Sequence, residues 1–223
     1  MQAKTAATSP WGGATANDTA TLTPLSTFNG QINAFFNALV TDTGLPQNFT
    51  TPPTPEGTGP TPGDNPLVAV WFGGNDLFAS FEPADIAAAA KSVADGITRL
   101  ATSPLGMFDD FLVANLPDLG DTPAYSSLLT LGATTPEELA AAQQVAAAAS
   151  AAASAATQQF NLELKSNLDL IEEDLGIRII DYDAFAVSKD VFANPGDYPF
   201  ASLTQPCTVS LNSTDNPFTC TPE

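Results

Sequence analysis

Histidine is absent from all 223 residues, and Lys and Arg together number only six against 25 Asp and Glu. The formal charge of -19 repels phosphate backbones and argues against nucleic acid as a partner. Cysteine is scarce as well, with Cys207 and Cys220 the whole complement. Two cysteines and no histidine leave too few soft ligands for a zinc site, so no metal is expected, and nothing in the chain asks for a cofactor. Long hydrophobic runs are missing. The blandest stretch, Ala140 to Ala156, is alanine broken by Gln143, Gln144, Ser150 and Ser154, too weakly apolar for lipid, so no transmembrane segment is expected. The opening MQAKTAATSPW has no apolar core of the kind a signal peptide needs.

Apolar residues nevertheless make up 43% of the chain, enough to fold around a core, and the length suits one domain. An acidic balance of this size fits a secreted or periplasmic protein, or one from a salty habitat. Cys207 and Cys220 lie in a tail rich in Thr, Ser, Asn and Pro. There a disulfide Cys207-Cys220 closing a short loop is the favoured expectation over a reduced, inert pair. Asn17, Asn48 and Asn212 stand in Asn-x-Ser/Thr triplets, matches too short to carry weight alone.

The first 25 or so residues read as loop. Phe28, Ile32, Phe35, Phe36 and Leu39 then recur at helical spacing and predict an amphipathic helix to Val40. Residues 41–65 are dense in Pro, Gly and Thr and read as a surface insertion. Leu67 to Phe72 is a short apolar run expected to be a strand buried on both faces. A helix follows with Pro83 in its first turn and Ile86, Val93, Ile97 and Leu100 inward. Phe111 to Ala114 predicts a second strand. Thr135, Pro136 and Glu138 then form a capping box that opens a helix ending at Leu175, before Gly176. Ile177 to Ile180 predicts a third strand.

Strand, helix, strand, long helix, strand is the order of an α/β protein with a parallel sheet, where ligands bind beyond the carboxyl ends of the strands. Gly73–Asp76, Asn115–Gly120 and Asp181–Asp183 follow the three strands. Taken alone, Gly-Gly-Asn-Asp is ordinary turn chemistry, with glycines at positive φ and Asn or Asp capping the next helix.

Four blocks in register add a resemblance. WGGATAND (11–18), VAVWFGGNDLF, FLVANLPDLGDTPAY (111–125) and the run from FNLELKSNLDLIEEDLGIRIIDYDAF to NPGDYPF resemble the GDSL, or SGNH, family of serine ester hydrolases, in its plant-type and bacterial lipase-like subgroup. The resemblance implies a three-layer α/β/α, flavodoxin-like fold with a parallel sheet. It also implies lipase or esterase activity on a small-molecule or lipid ester. Residue by residue, Asn75 takes the place of the side-chain oxyanion donor. Gly13 takes that of the backbone donor, with Gly12 one register away. Gly73 is expected to permit the turn that aims Asn75, and Asp76 to serve the turn or cap the helix.

The resembled family's nucleophile lies in a Gly-Asp-Ser block and its base in an Asp-x-x-His block. Gly63-Asp64 is followed by Asn65, Gly120-Asp121 by Thr122 and Gly196-Asp197 by Tyr198, so neither block is present. The expectation is a single SGNH domain over 1–223, truncated at both ends, with the first strand and last helix missing. Such a chain carries the oxyanion half of a secreted, periplasmic or cell-surface hydrolase and is inactive alone. The alternative is a non-catalytic ester- or glycan-binding module on the same fold.

Overall fold

A computed structural model describes residues 15–16, 27–43, 66–106, 108–126, 132–199 and 203. They fall into two compact units, the first from 1–116 and 158–184, the second from 117–157 and 185–223.

In the first unit, Thr27 opens α1 (Phe28–Thr43), its Oγ1 accepting the Gly30 N–H at 3.0 Å. This is the hydroxyl cap that the first orphan amides of a helix require. The helix runs past the expected Val40 to Thr43. β1 (Leu67–Val70) and β2 (Asp110–Ala114) pair in parallel, Leu67 beside Asp110 and Val70 beside Val113. β3 (Arg178–Tyr182) pairs in parallel on the far side of β2, Phe111 beside Ile179 and Ala114 beside Tyr182. The expected α/β class with a parallel sheet is therefore what the structure has, in the order β1-β2-β3.

Burial alternates along β1 and β2, because successive side chains point to opposite faces. Val68, Val70, Phe111 and Val113 are buried, while Ala69 is exposed, Ile180 is 37% exposed and Tyr182 48%. The expectation of a first strand buried on both faces is corrected here: along β1, Val68 and Val70 are buried while Ala69 between them is exposed. Between β1 and the predicted helix stands a short helix that the sequence reading took for a turn, α2 (Gly74–Ala79). Then comes α3 (Pro83–Ala101), whose Ile86, Val93, Ile97 and Leu100 are all buried as predicted. Phe28 joins α1 to this core by stacking on Phe72 at 4.5 Å.

The second unit holds a 3-10 turn at Leu119–Asp121, α4 (Pro123–Ser126), the first part of α5 (Pro136–Leu175) and most of α6 (Ala184–Ala193). The capping box of α5 forms as read. The Glu138 N–H donates to Thr135 Oγ1, and the Thr135 N–H donates to the Glu138 carboxylate, both at 3.1 Å. The helix closes at Leu175, its Glu172 carbonyl accepting the Gly176 N–H. Its alanines let neighbours lie close. Ala146, Ala153 and Ala156 are buried although the helix has little large apolar surface here. Among the described residues no helix is long and apolar enough to cross a membrane.

Candidate active site

β1 ends at Val70 and the chain reverses into α2 within three residues. Gly73 is the pivot, with φ +113° and ψ -24°, and its carbonyl accepts the Leu77 N–H at 3.2 Å. A side chain there is excluded twice over. The left-handed φ strains any L-residue, and a Cβ would stand 2.2 Å from the ring of the fully buried Phe160. This turn puts Asn75 in the first turn of α2, half-buried, at the carboxyl end of β1.

The other two strand ends meet at Asn115. Its backbone N–H donates to the Tyr182 carbonyl at 3.1 Å, and its side-chain amide donates to Asp183 Oδ1 at 2.9 Å. Its carbonyl accepts Trp71 Nε1–H at 3.2 Å, so one residue links the ends of β1, β2 and β3. Leu116 is held by Asn161 of α5, whose amide oxygen accepts the Leu116 N–H and whose NH2 donates to the Leu116 carbonyl, both at 2.9 Å. This matched pair fixes the side-chain amide orientation of Asn161 and the path of the chain leaving β2.

Asp76, expected to serve the turn or cap the helix, lies in the first turn of α2, whose N-cap position belongs to Gly73. Asp76 Oδ2 accepts the backbone N–H of Ala16, sixty residues away, at 2.7 Å. Gly12 and Gly13 lie outside the described residues, as do the 44–65 part of the insertion, Cys207 and Cys220. The strand-end rule pointed to the neighbourhood of Asn115 and Asp183 without giving their bonds, and no local signal marked Asn161.

In the second unit the Pro117–Asp121 turn has its own polar centre. Asp118, 2% exposed, accepts the Gly120 N–H at 3.0 Å and the Ser154 hydroxyl at 2.7 Å. The Lys189 ammonium lies 2.6 Å from its second oxygen. Burial pushes the Asp118 carboxyl up, but Lys189, Ser154 and the Gly120 N–H outweigh burial and hold it below its ordinary value. Lys189 is raised in turn by Asp118 and then Asp121. The turn sits directly on α5, since a Cβ on Gly120 would stand 2.2 Å from the Ser150 carbonyl oxygen. Ser150 Oγ donates to the Gly120 carbonyl at 2.9 Å.

A three-stranded parallel sheet flanked by helices defines an α/β protein, with Asn115 and Asp183 bonded to each other beyond its carboxyl edge. The profile of the GDSL-like lipase/acylhydrolase family matches residues 5–209, and the chain belongs to that family. Membership makes it a hydrolase of ester or acyl bonds by family resemblance. No curated protein matches the chain.

Proposed function

We propose that this protein hydrolyses carboxylic esters through a serine acyl-enzyme, with Asn75 and Gly13 donating to the oxyanion of the tetrahedral intermediate. The observation that carries the proposal is the placement of Asn75, delivered to the end of a parallel strand by a turn that only glycine at position 73 fits. A side-chain amide suits that task because it donates an N–H without a titrating proton. Negative charge develops on the carbonyl oxygen only as the nucleophile attacks, so a fixed donor stabilises the transition state more than the bound ester. The 223 residues contain no histidine and no Gly-Asp-Ser. In this proposal the nucleophile and its base come from sequence outside them, and the protein acts outside the cytoplasm or at the cell surface.

The test has two parts. The 223-residue chain is expected to hydrolyse p-nitrophenyl acetate no faster than buffer; turnover abolished by Asn75→Ala overturns the assignment of the nucleophile elsewhere. The protein expressed from its whole reading frame is expected to be an esterase in which Asn75→Ala lowers kcat about 100- to 1000-fold. A reading frame with neither block, and a product that binds esters without cleaving them, establishes a binding module instead.

A further inference from the structure

We infer that Asn161 of α5 is a positioning residue that holds Asn75 in place through Leu116, an inference that rests on the esterase proposal above. The sheet ladder runs out at the end of β2. Ala114 is the last residue of the strand, and the Asn115 N–H still finds the Tyr182 carbonyl at 3.1 Å. Leu116 lies one residue further on, where its N–H and carbonyl need partners from elsewhere. Asn161 supplies both, since its amide oxygen accepts the Leu116 N–H and its NH2 donates to the Leu116 carbonyl, each at 2.9 Å. A side-chain amide suits this place because it carries an acceptor and a donor side by side. The peptide between Asn115 and Leu116 is held from its other side as well, because Trp71 Nε1–H donates to the Asn115 carbonyl at 3.2 Å.

The Leu116 side chain carries this constraint to the glycine turn. It is buried, and a Cβ on Gly74 would meet its Cδ2 at 3.8 Å. Gly74 opens α2 and is the residue directly before Asn75. Phe160, the neighbour of Asn161 on α5, is fully buried, and its ring fills the place of a Cβ on Gly73. Consecutive residues of a helix point about 100° apart, so one turn of α5 backs Gly73 directly and Gly74 by way of Leu116. A six-residue helix without a side-chain cap has little rigidity of its own, and its first turn keeps its place through such outside contacts. An oxyanion donor has to be placed before charge develops, and a misplacement of about 1 Å costs on the order of 100-fold in rate. Asn161 meets that demand from behind the turn.

A double-mutant cycle with Asn75 separates this role from a general contribution to folding. In the protein expressed from its whole reading frame, kcat is expressed per active site counted by fluorophosphonate labelling, so unfolded molecules drop out. Asn161→Ala is expected to lower kcat about tenfold with KM within about twofold. With Asn75 already alanine, the same substitution is expected to change kcat by less than about twofold, since the donor it positions is gone. Leu116→Val is the gentler second variant, because it shortens the side chain beside Gly74 and leaves the backbone bonds to Asn161 in place. Its loss, about threefold, should also vanish when Asn75 is alanine. In the NMR spectrum of the same protein, the side-chain amide signal of Asn75, identified by its absence in Asn75→Ala, is expected to move in Asn161→Ala. An unchanged kcat for Asn161→Ala beside a crippled Asn75→Ala overturns the inference alone, and so do losses that simply add in the double variant. A silent Asn75→Ala overturns the esterase proposal, and the Asn75 amide signal, moved or unmoved by Asn161→Ala, then decides whether Asn161 holds that side chain.

Discussion

Gly73 carries more constraint than any other residue of the site, because backbone and packing both forbid a side chain there. Its φ of +113° and the Phe160 ring 2.2 Å from the position of a Cβ act independently. Strain and overpacking together predict that Gly73→Ala destabilises the fold by about 3 kcal/mol. Gly74→Ala, whose new Cβ meets only Leu116 at 3.8 Å, should stay within about 0.5 kcal/mol of wild type. Urea midpoints of the two variants measure the contrast, and equal losses would refute the account of the turn. The glycine pair was legible as turn chemistry, since positive φ leaves a mark in composition. Phe160 was not, because it reaches Gly73 from 87 positions further along the chain. The Asp76–Ala16 bond was hidden for the same reason, because local rules see only local partners.

Elements with strong local signals were read most closely. The α5 capping box and its stop before Gly176 were placed to the residue, as both depend on contacts within one turn. The short α2 was missed because six residues beginning with Gly-Asn-Asp have turn propensity, and burial of Leu77 decides the matter. The Asp118 centre joins a turn, α5 and α6, three elements whose partners no sequence window contains. Its pH dependence follows from the shifts. Asp118 sits below its ordinary 3.8 when folded, so its contribution is present above that value and is lost as pH falls through the lower, folded value. Lys189 is raised above 10.5, so its contribution is full below 10.5 and is lost only as pH climbs through the folded value. Thermal melts should therefore show Asp118→Asn below wild type between pH 5 and 9, with the gap closing below pH 3.8. A gap that persists into acid would rule out the charged form as its source.

At the scale of the molecule, net charge dominates. A chain at -19 repels itself when folded, and its exposed ion pairs, such as Lys91–Asp95, offset little of this. Raising NaCl from 0.01 M to 1 M shortens the Debye length from about 30 Å to about 3 Å, and the melting temperature should rise. A fall would mean that the ion pairs outweigh the repulsion. The α/β class and the parallel sheet were legible at this scale because hydrophobic runs and caps set them, whereas the exposure of Ala69 on β1 was not, because a run of apolar residues reads alike whether one face or both are covered. The bond from Trp71 to the Asn115 carbonyl has an optical consequence. Trp71, directly after the strand that leads to Asn75, is 63% exposed, and the sequence has just one other indole, Trp11. With Trp11 replaced by Phe, the emission maximum of the protein becomes the signal of a single strand end, and an ester seated there reports itself by its colour.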